Sequence, residues 1–118
     1  MEFNGRELAE QLIGTWVTDP ASGEGIVSTV TYNPDGTGTE IVSFGEPERP
    51  DVTVDIRWSV NDDLLTFKSV ASSDPQRVPV NFELHDRILS ISEDRFVFAA
   101  FKGYGIGDGE QGVKVRRS

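Results

Sequence analysis

Apolar and polar residues alternate with a period of two along much of this chain, which is the pattern of strands that bury one face. The clearest case is the segment 52–60, whose apolar positions are Val52, Val54, Ile56, Trp58 and Val60. The same alternation, or a high content of β-branched residues, predicts seven further strands. They span residues 14–18, 26–32, 37–44, 64–70, 78–84, 87–92 and 95–101.

A short helix is predicted before the first strand. Asn4 is suited to cap the first free N–H groups, and Glu7, three residues later, can reach back to the cap. Gly14 ends the helix. Its apolar face consists of Leu8, Leu12 and Ile13.

No helix interrupts the eight predicted strands, so a parallel sheet built from strand–helix–strand units is excluded. We therefore predict an all-β fold, an eight-stranded antiparallel up-and-down barrel whose closure removes exposed strand edges. A single domain covers residues 1–118. The short N-terminal helix precedes the barrel, and a C-terminal tail strand over residues 113–117 follows it.

The lengths of the connections predict that the two ends of the barrel differ. Alternate connections of an up-and-down meander lie at the same end. The connections after strands one, three and five are long and span 19–25, 45–51 and 71–76. Those after strands two, four and six are tight and span 33–36, 61–63 and 85–86. The short connection at Glu93-Asp94 is an exception, since it belongs to the long-loop end. We expect an open mouth and a closed base.

Composition and charge narrow the range of partners. The 118 residues carry a formal net charge of −9, whereas nucleic acids and anionic lipids are recruited by basic patches. We expect neither as a partner, and no apolar segment is long enough for membrane insertion. The polar N-terminus is unlike a signal peptide, so a cytoplasmic location is expected. The chain has no Cys, which excludes disulfides and zinc–thiolate sites.

The segment Leu12-Ile-Gly-Thr-Trp-Val17 and the strand pattern together resemble the lipocalins (calycins), and small bacterial lipocalin-like domains in particular. The shared features are Gly14-x-Trp16 on the first strand after a short helix, a Pro-Asp-Gly-Thr turn at 34–37 and Trp58 late in the fourth strand. The resemblance covers nearly the whole chain. It implies that Gly14 and Trp16 plug the base of the barrel. Trp58, at the base end of the fourth strand, is an independent candidate neighbour of Trp16. The resemblance also implies that a late arginine, Arg116 or Arg117, packs over the Trp16 ring by a cation–π contact.

The inward faces of the predicted strands carry the candidate ligand-binding residues. These are Tyr32, Phe44, Val54, Ile56, Val80, Phe82 and Phe98. The simpler interpretation of the same residues is ordinary core, because a small eight-stranded barrel can be filled by its own side chains. Tyr32 or Arg49, in the connection 45–51, would hold the polar head of a ligand.

No constellation of residues predicts catalysis or a bound cofactor. His85, the one histidine, lies on the polar face of its strand, so it is not expected to ligate haem or to serve in a hydrolytic triad. The acidic pairs Asp62-Asp63 and Glu93-Asp94 fit hairpin turns. The Gly-rich segment 103–112 lacks the alternating ligands of a calcium loop. We predict no metal, no cofactor and no enzymatic activity.

The eighth predicted strand is apolar on both faces. Its two faces are Phe96, Phe98 and Ala100, and Val97, Ala99 and Phe101. The outer face therefore needs a cover, which the N-terminal helix, the tail strand or a second subunit would provide. The protein is accordingly expected to be a monomer or a homodimer.

Two functions follow from this pattern. The first is a lipocalin-like domain that binds a small apolar or amphipathic molecule at the open end. The alternative is a filled barrel that serves as a structural or protein–protein interaction domain.

Overall fold

Eight antiparallel strands within the described residues form a closed barrel, in which each strand pairs with its sequence neighbours and the last pairs with the first. The computed structural model of the protein describes residues 5–19, 27–43, 50–102 and 111–117. The predicted all-β antiparallel barrel with a short N-terminal helix is confirmed. The elements are α1 (Gly5–Leu12), β1 (Gly14–Thr18), β2 (Val27–Tyr32), β3 (Thr37–Ser43), β4 (Val52–Asn61), β5 (Leu64–Ser72), β6 (Glu83–Ile91), β7 (Arg95–Lys102) and β8 (Gln111–Arg116).

The segment 78–91 is divided differently from the prediction. Residues 78–82 form no strand, and β6 runs without a break through His85 and Asp86, where a turn was predicted. Two residues explain the difference: Pro79 has no N–H to offer a strand ladder, and Asn81 adopts a left-handed conformation with φ 61°. The apolar alternation over 78–84 was therefore misread as a strand.

The C-terminal segment is part of the barrel wall, which corrects its prediction as a tail strand. β8 pairs with β7 from Arg95↔Val115 to Ala99↔Gln111. On its other side it pairs with β1, with Trp16 opposite Arg116. The two predicted strands around residues 78–92 are replaced by β6 alone, so β8 is the eighth strand.

With the strand boundaries corrected, the short connections all lie at one end of the barrel and the long connections at the other. The connections 33–36, 62–63 and 92–94 are tight and join strand ends at one end of the barrel. The connections 19–26, 44–51, 73–82 and 103–110 join strand ends at the other. The exception at Glu93-Asp94 disappears, since this turn follows β6 and so belongs with the tight ones.

The helix packs at the end with the tight turns. Leu8 and Leu12 of α1 are fully buried in the barrel core. Gly14 then turns the chain into β1 with φ 126°, a backbone conformation that suits glycine. No helix in the described part of the chain is long and apolar enough to cross a bilayer.

The core lies inside the barrel, at every second position of each strand. β4 is the most regular example, with Val52, Val54, Ile56 and Trp58 buried and the residues between them exposed. Val78 joins this core from the connection 73–82, where Asp74 accepts a hydrogen bond from its backbone N–H. The connection between β5 and β6 is thus anchored to the barrel interior.

Candidate functional site

The end of the barrel with the tight turns is filled by aromatic side chains. Trp16 is fully buried, its ring centroid lies 4.8 Å from that of Phe96, and its Nε1 donates a hydrogen bond to Leu12 O at 2.9 Å. The Arg116 guanidinium lies 4.1 Å from the centroid of the Trp16 ring. Arg116 also donates hydrogen bonds to Ile13 O and to two further backbone carbonyls, those of residues 11 and 93.

Trp58 lies at the same end of the barrel and contacts Tyr32. Their ring centroids are 5.1 Å apart in an edge-to-face arrangement, which is favourable for two aromatic rings. Trp58 Nε1 donates hydrogen bonds to Asn33 O and Thr37 O across the tight turn of β2 and β3. Gly14 pairs with Tyr32 between β1 and β2, so the three predicted base residues all lie near this end.

The predicted ligand-binding residues divide into four groups. Tyr32, Val54, Ile56 and Phe98 point into the barrel and are buried. Phe82 is half-buried and packs against the core from the connection 73–82. Val80 is 38% exposed in that connection, so its prediction as an inward residue is wrong. The predicted residues Phe44 and Arg49 lie outside the described residues.

Charged side chains also occupy the interior, which the sequence analysis did not predict. Glu40 of β3, Asp86 of β6 and Lys114 of β8 occupy inward positions and are each at least nine-tenths buried. Charged residues are seldom buried to this extent unless they are paired. Together with Tyr32, these three residues form what we call the interior polar cluster.

Lys114 and Glu40 are joined through Ser28 of β2. The Lys114 ammonium donates hydrogen bonds to Thr18 Oγ1 and Ser28 O, both at 3.1 Å, and to Ser28 Oγ. The Ser28 hydroxyl also hydrogen-bonds to the Glu40 carboxyl. Thr18 ends β1 and Ser28 lies near the start of β2, so this part of the cluster lies toward the end with the long connections.

Asp86 and Tyr32 lack such partners. As whole residues, Asp86 is 9% exposed and Tyr32 is 3% exposed, and neither side chain makes a hydrogen bond within the described residues. Their polar atoms keep some accessible surface, since neither residue is among the fully buried polar groups without a partner. Buried polar groups in folded proteins are almost always hydrogen-bonded, to protein, to ordered water or to a ligand. Two inward polar groups therefore remain available to a molecule inside the barrel.

The electrostatics of the cluster follow from burial and from its charges. Burial, opposed by Lys114 and reinforced by Glu40, raises the pKa of Asp86 to about 7. Burial also raises the pKa of Glu40, while Lys114 and the Ser28 hydroxyl act in the opposite direction. The pKa of Tyr32 is raised well above its usual value by burial and by Asp86 and Glu40. Asp86 thus changes its charge near neutral pH, and Tyr32 stays neutral there.

The sequence analysis did not predict this cluster because two of its strand boundaries were wrong. The predicted turn at His85-Asp86 made Asp86 a turn residue, whereas in β6 it follows Leu84 and precedes Ile88 on the inward face. Lys114 lies in the segment 113–117, which was predicted as a tail strand outside the barrel and is part of β8. The signal that would have found Asp86 is the alternation itself: continued from Leu84 through residue 86 without a turn, it puts Asp86 on the inward face.

His85 points to the outer face of the barrel, as predicted. Its Nδ1 lies 3.0 Å from Thr66 Oγ1 and its Nε2 3.0 Å from a Glu83 carboxyl oxygen. In the part of the chain that the structure describes, no three His, Asp or Glu side chains are grouped to hold a metal ion.

A groove of about 360 Å³ lies on the outer wall, at the end with the tight turns. Arg57 and Lys68 stand directly opposite each other across β4 and β5 at its floor. Both side chains are exposed, and neighbouring Asp35 is already bound to Thr37. The groove therefore lacks buried, unpartnered polar groups of the kind found in the barrel interior.

Comparison of the sequence with known protein families and curated proteins identifies no family for this chain. No model of a known protein family matches the chain, and no curated protein sequence matches it.

Proposed function

We propose that this protein is a small lipocalin-like barrel that binds a small amphipathic molecule through the end bearing the long connections, without enzymatic activity. The observation that supports this most directly is a pair of inward polar groups that bind no other side chain of the described residues, the Asp86 carboxyl and the Tyr32 hydroxyl. Inward polar groups without a side-chain partner are a cost to a barrel that serves only as a filled core, whereas their accessible polar atoms can hydrogen-bond to a ligand.

The apolar wall around the cluster suits the remainder of such a ligand. Val54 and Ile56 of β4 and Phe98 of β7 are buried on the same inner surface as Asp86. Each Å² of apolar surface that leaves water contributes about 25 cal/mol. Ligand pockets commonly combine a mainly apolar wall with a few polar groups that fix orientation, and the barrel interior has this composition.

The proposal is tested with N-phenyl-1-naphthylamine, a neutral apolar dye that fluoresces in dry surroundings. We expect the protein to enhance its fluorescence and 1-octanol to displace it. Phe82→Asp, which places a charge on the half-buried side chain of the connection 73–82, should weaken dye binding at least 10-fold. Leu89→Asp is the matched control, since Leu89 is 41% exposed on the outer wall. Absence of dye binding by the wild type, or equal effects of both variants, would contradict the proposal.

A second candidate is the interaction domain, and one feature of the outer wall favours it. Three neighbouring strands carry half-buried apolar residues on their outer face: Val17 of β1, Val113 and Val115 of β8, and Val97 and Ala99 of β7. The predicted tail strand, one of the possible covers for this face, is β8. It lies beside β7 in the barrel wall and extends the face. Sedimentation equilibrium tests a homodimer through it: a dimer mass that Val97→Glu converts to a monomer mass supports this candidate, and a wild-type monomer removes it.

A further inference from the structure

We propose that the barrel interior selects amphipathic amines, with the cationic head at Asp86 and Tyr32 and the apolar tail against Val54, Ile56 and Phe98. This inference rests on the proposed function and specifies its ligand class. It follows from how the interior charges are distributed and which of them already have partners.

The interior holds one carboxyl more than its ammonium group balances. At the inward positions of the described strands, Glu40 and Asp86 provide two carboxyl groups and Lys114 provides one ammonium group. Arg116, which covers Trp16 at the end with the tight turns, is not included in this count. Lys114 is hydrogen-bonded to Thr18 and Ser28, and Ser28 connects it to Glu40. Asp86 is the carboxyl that this hydrogen-bonded chain does not include.

The groups that face Asp86 favour a hydrogen-bond donor with positive charge. Glu40 faces it from β3, Tyr32 from β2 and Lys114 from β8. Its neighbours on β6, His85 and Arg87, lie on the outer face. A protonated amine at this position donates to the Asp86 carboxyl, is attracted by Glu40 and is repelled by Lys114. Two carboxylates against one ammonium leave a net attraction, and charge-assisted hydrogen bonds are about twice as strong as neutral ones.

An anionic head would meet the opposite situation. A carboxylate beside Asp86 adds a third negative charge to a buried site with a single ammonium, and like charges at short range are strongly unfavourable in an interior of low dielectric constant. A neutral alcohol would form hydrogen bonds without the charge attraction. The expected order of affinity is therefore amine, then alcohol, then carboxylate.

The selectivity should depend on pH. Asp86 attracts a cation only when ionised, and burial raises its pKa to about 7. A cation at Asp86 favours the ionised form, so binding releases a proton from the protein below pH 7. The affinity for an amine should fall about 10- to 100-fold from pH 8 to pH 5, whereas the affinity for an alcohol should change little.

A series of ligands with one eight-carbon chain provides the experiment. Octylamine, octyltrimethylammonium, 1-octanol and octanoate are compared by isothermal titration calorimetry and dye displacement at pH 8 and pH 5. At pH 8 we expect octylamine to bind at least 10-fold more tightly than 1-octanol, and octanoate to bind most weakly. Octyltrimethylammonium keeps the charge but has no N–H to donate, and is expected between octylamine and 1-octanol.

Two variants identify the group responsible. Asp86→Asn should bind 1-octanol like the wild type and lose both the preference for octylamine and its pH dependence. Asp55→Asn is the matched control, because Asp55 is an exposed carboxyl on the outer face of β4. It should leave the order of affinities unchanged.

The outcomes separate the two proposals. If none of the four compounds binds, the proposed function fails and this inference with it. If 1-octanol and octylamine bind equally at both pH values, ligand binding stands and the inference is overturned. Tightest binding of octanoate overturns it as well, and would identify Lys114 as the anchor. Should Asp86→Asn fail to fold, the affinity order and pH dependence of the wild type decide the question.

Discussion

The buried position of Asp86 makes the stability of the protein depend on pH. The pKa of Asp86 is about 7 in the folded protein and about 3.9 in an unfolded chain. The folded state therefore holds this proton more tightly, and the resulting stabilisation is complete below about pH 4 and is lost as pH rises through 7. About three pKa units correspond to a contribution on the order of 4 kcal/mol.

Replacing this carboxyl by an amide should remove that pH dependence. For Asp86→Asn we expect the free energy of unfolding, relative to the wild type, to rise by about 2–3 kcal/mol between pH 5 and pH 8. Urea unfolding at both pH values measures the difference. Asp55→Asn, which removes an exposed carboxyl, should show no comparable change, and equal behaviour of the two variants would contradict the burial of an ionisable Asp86.

Arg116 is the second residue with a specific effect. It covers the Trp16 ring and donates hydrogen bonds to three backbone carbonyls. Loss of the cation–π contact and of these bonds should cost about 2–3 kcal/mol of unfolding free energy in Arg116→Met. Arg117→Met is the control because Arg117 is exposed, and its midpoint in urea should match the wild type. A similar small effect of both changes would exclude this role for Arg116.

At the scale of elements, the sequence determined the fold class but not every strand. Alternation in β4 is regular because the strand is hydrogen-bonded on both sides and buries one face. Over 78–82 the same alternation occurs in a connection, where only Val78 is buried. Alternation of apolar and polar residues indicates which side chains are buried. It does not indicate whether the backbone is hydrogen-bonded to a neighbouring strand. Pro79 and Asn81 indicate that the backbone of this segment does not form a strand, which the alternation does not show.

β8 is the element on which barrel closure depends. A chain that ends at residue 110 leaves β1 and β7 as open edges, and unpaired edges promote association between molecules. We expect this truncated chain to lose cooperative unfolding and to self-associate, as measured by urea unfolding and light scattering. A chain that ends at Arg117 should behave like the chain of 118 residues. A monomeric, cooperatively folded chain of 110 residues would show that β8 is dispensable.

At the scale of the whole molecule, the interior polar cluster depends on closure of the barrel. Glu40, Asp86 and Lys114 lie on three strands that are not adjacent, β3, β6 and β8. Sequence patterns predicted the apolar wall, because each strand shows its own inward face. They could not predict the cluster, because strand register and closure decide which inward positions meet. The candidate site therefore forms only when the strands have assembled into the closed barrel.

The central claim is that a ligand lies inside the barrel beside Asp86, and isotope-filtered nuclear Overhauser measurements test it most directly. The protein is labelled with ¹³C and ¹⁵N and mixed with unlabelled octylamine at pH 8. We expect contacts from the alkyl chain to the methyl groups of Val54 and Ile56 and to the Phe98 ring, and a change in the Asp86 carboxyl ¹³C shift. Contacts only to outward side chains such as Ile41 or Leu89, with the Asp86 signal unchanged, would contradict the claim.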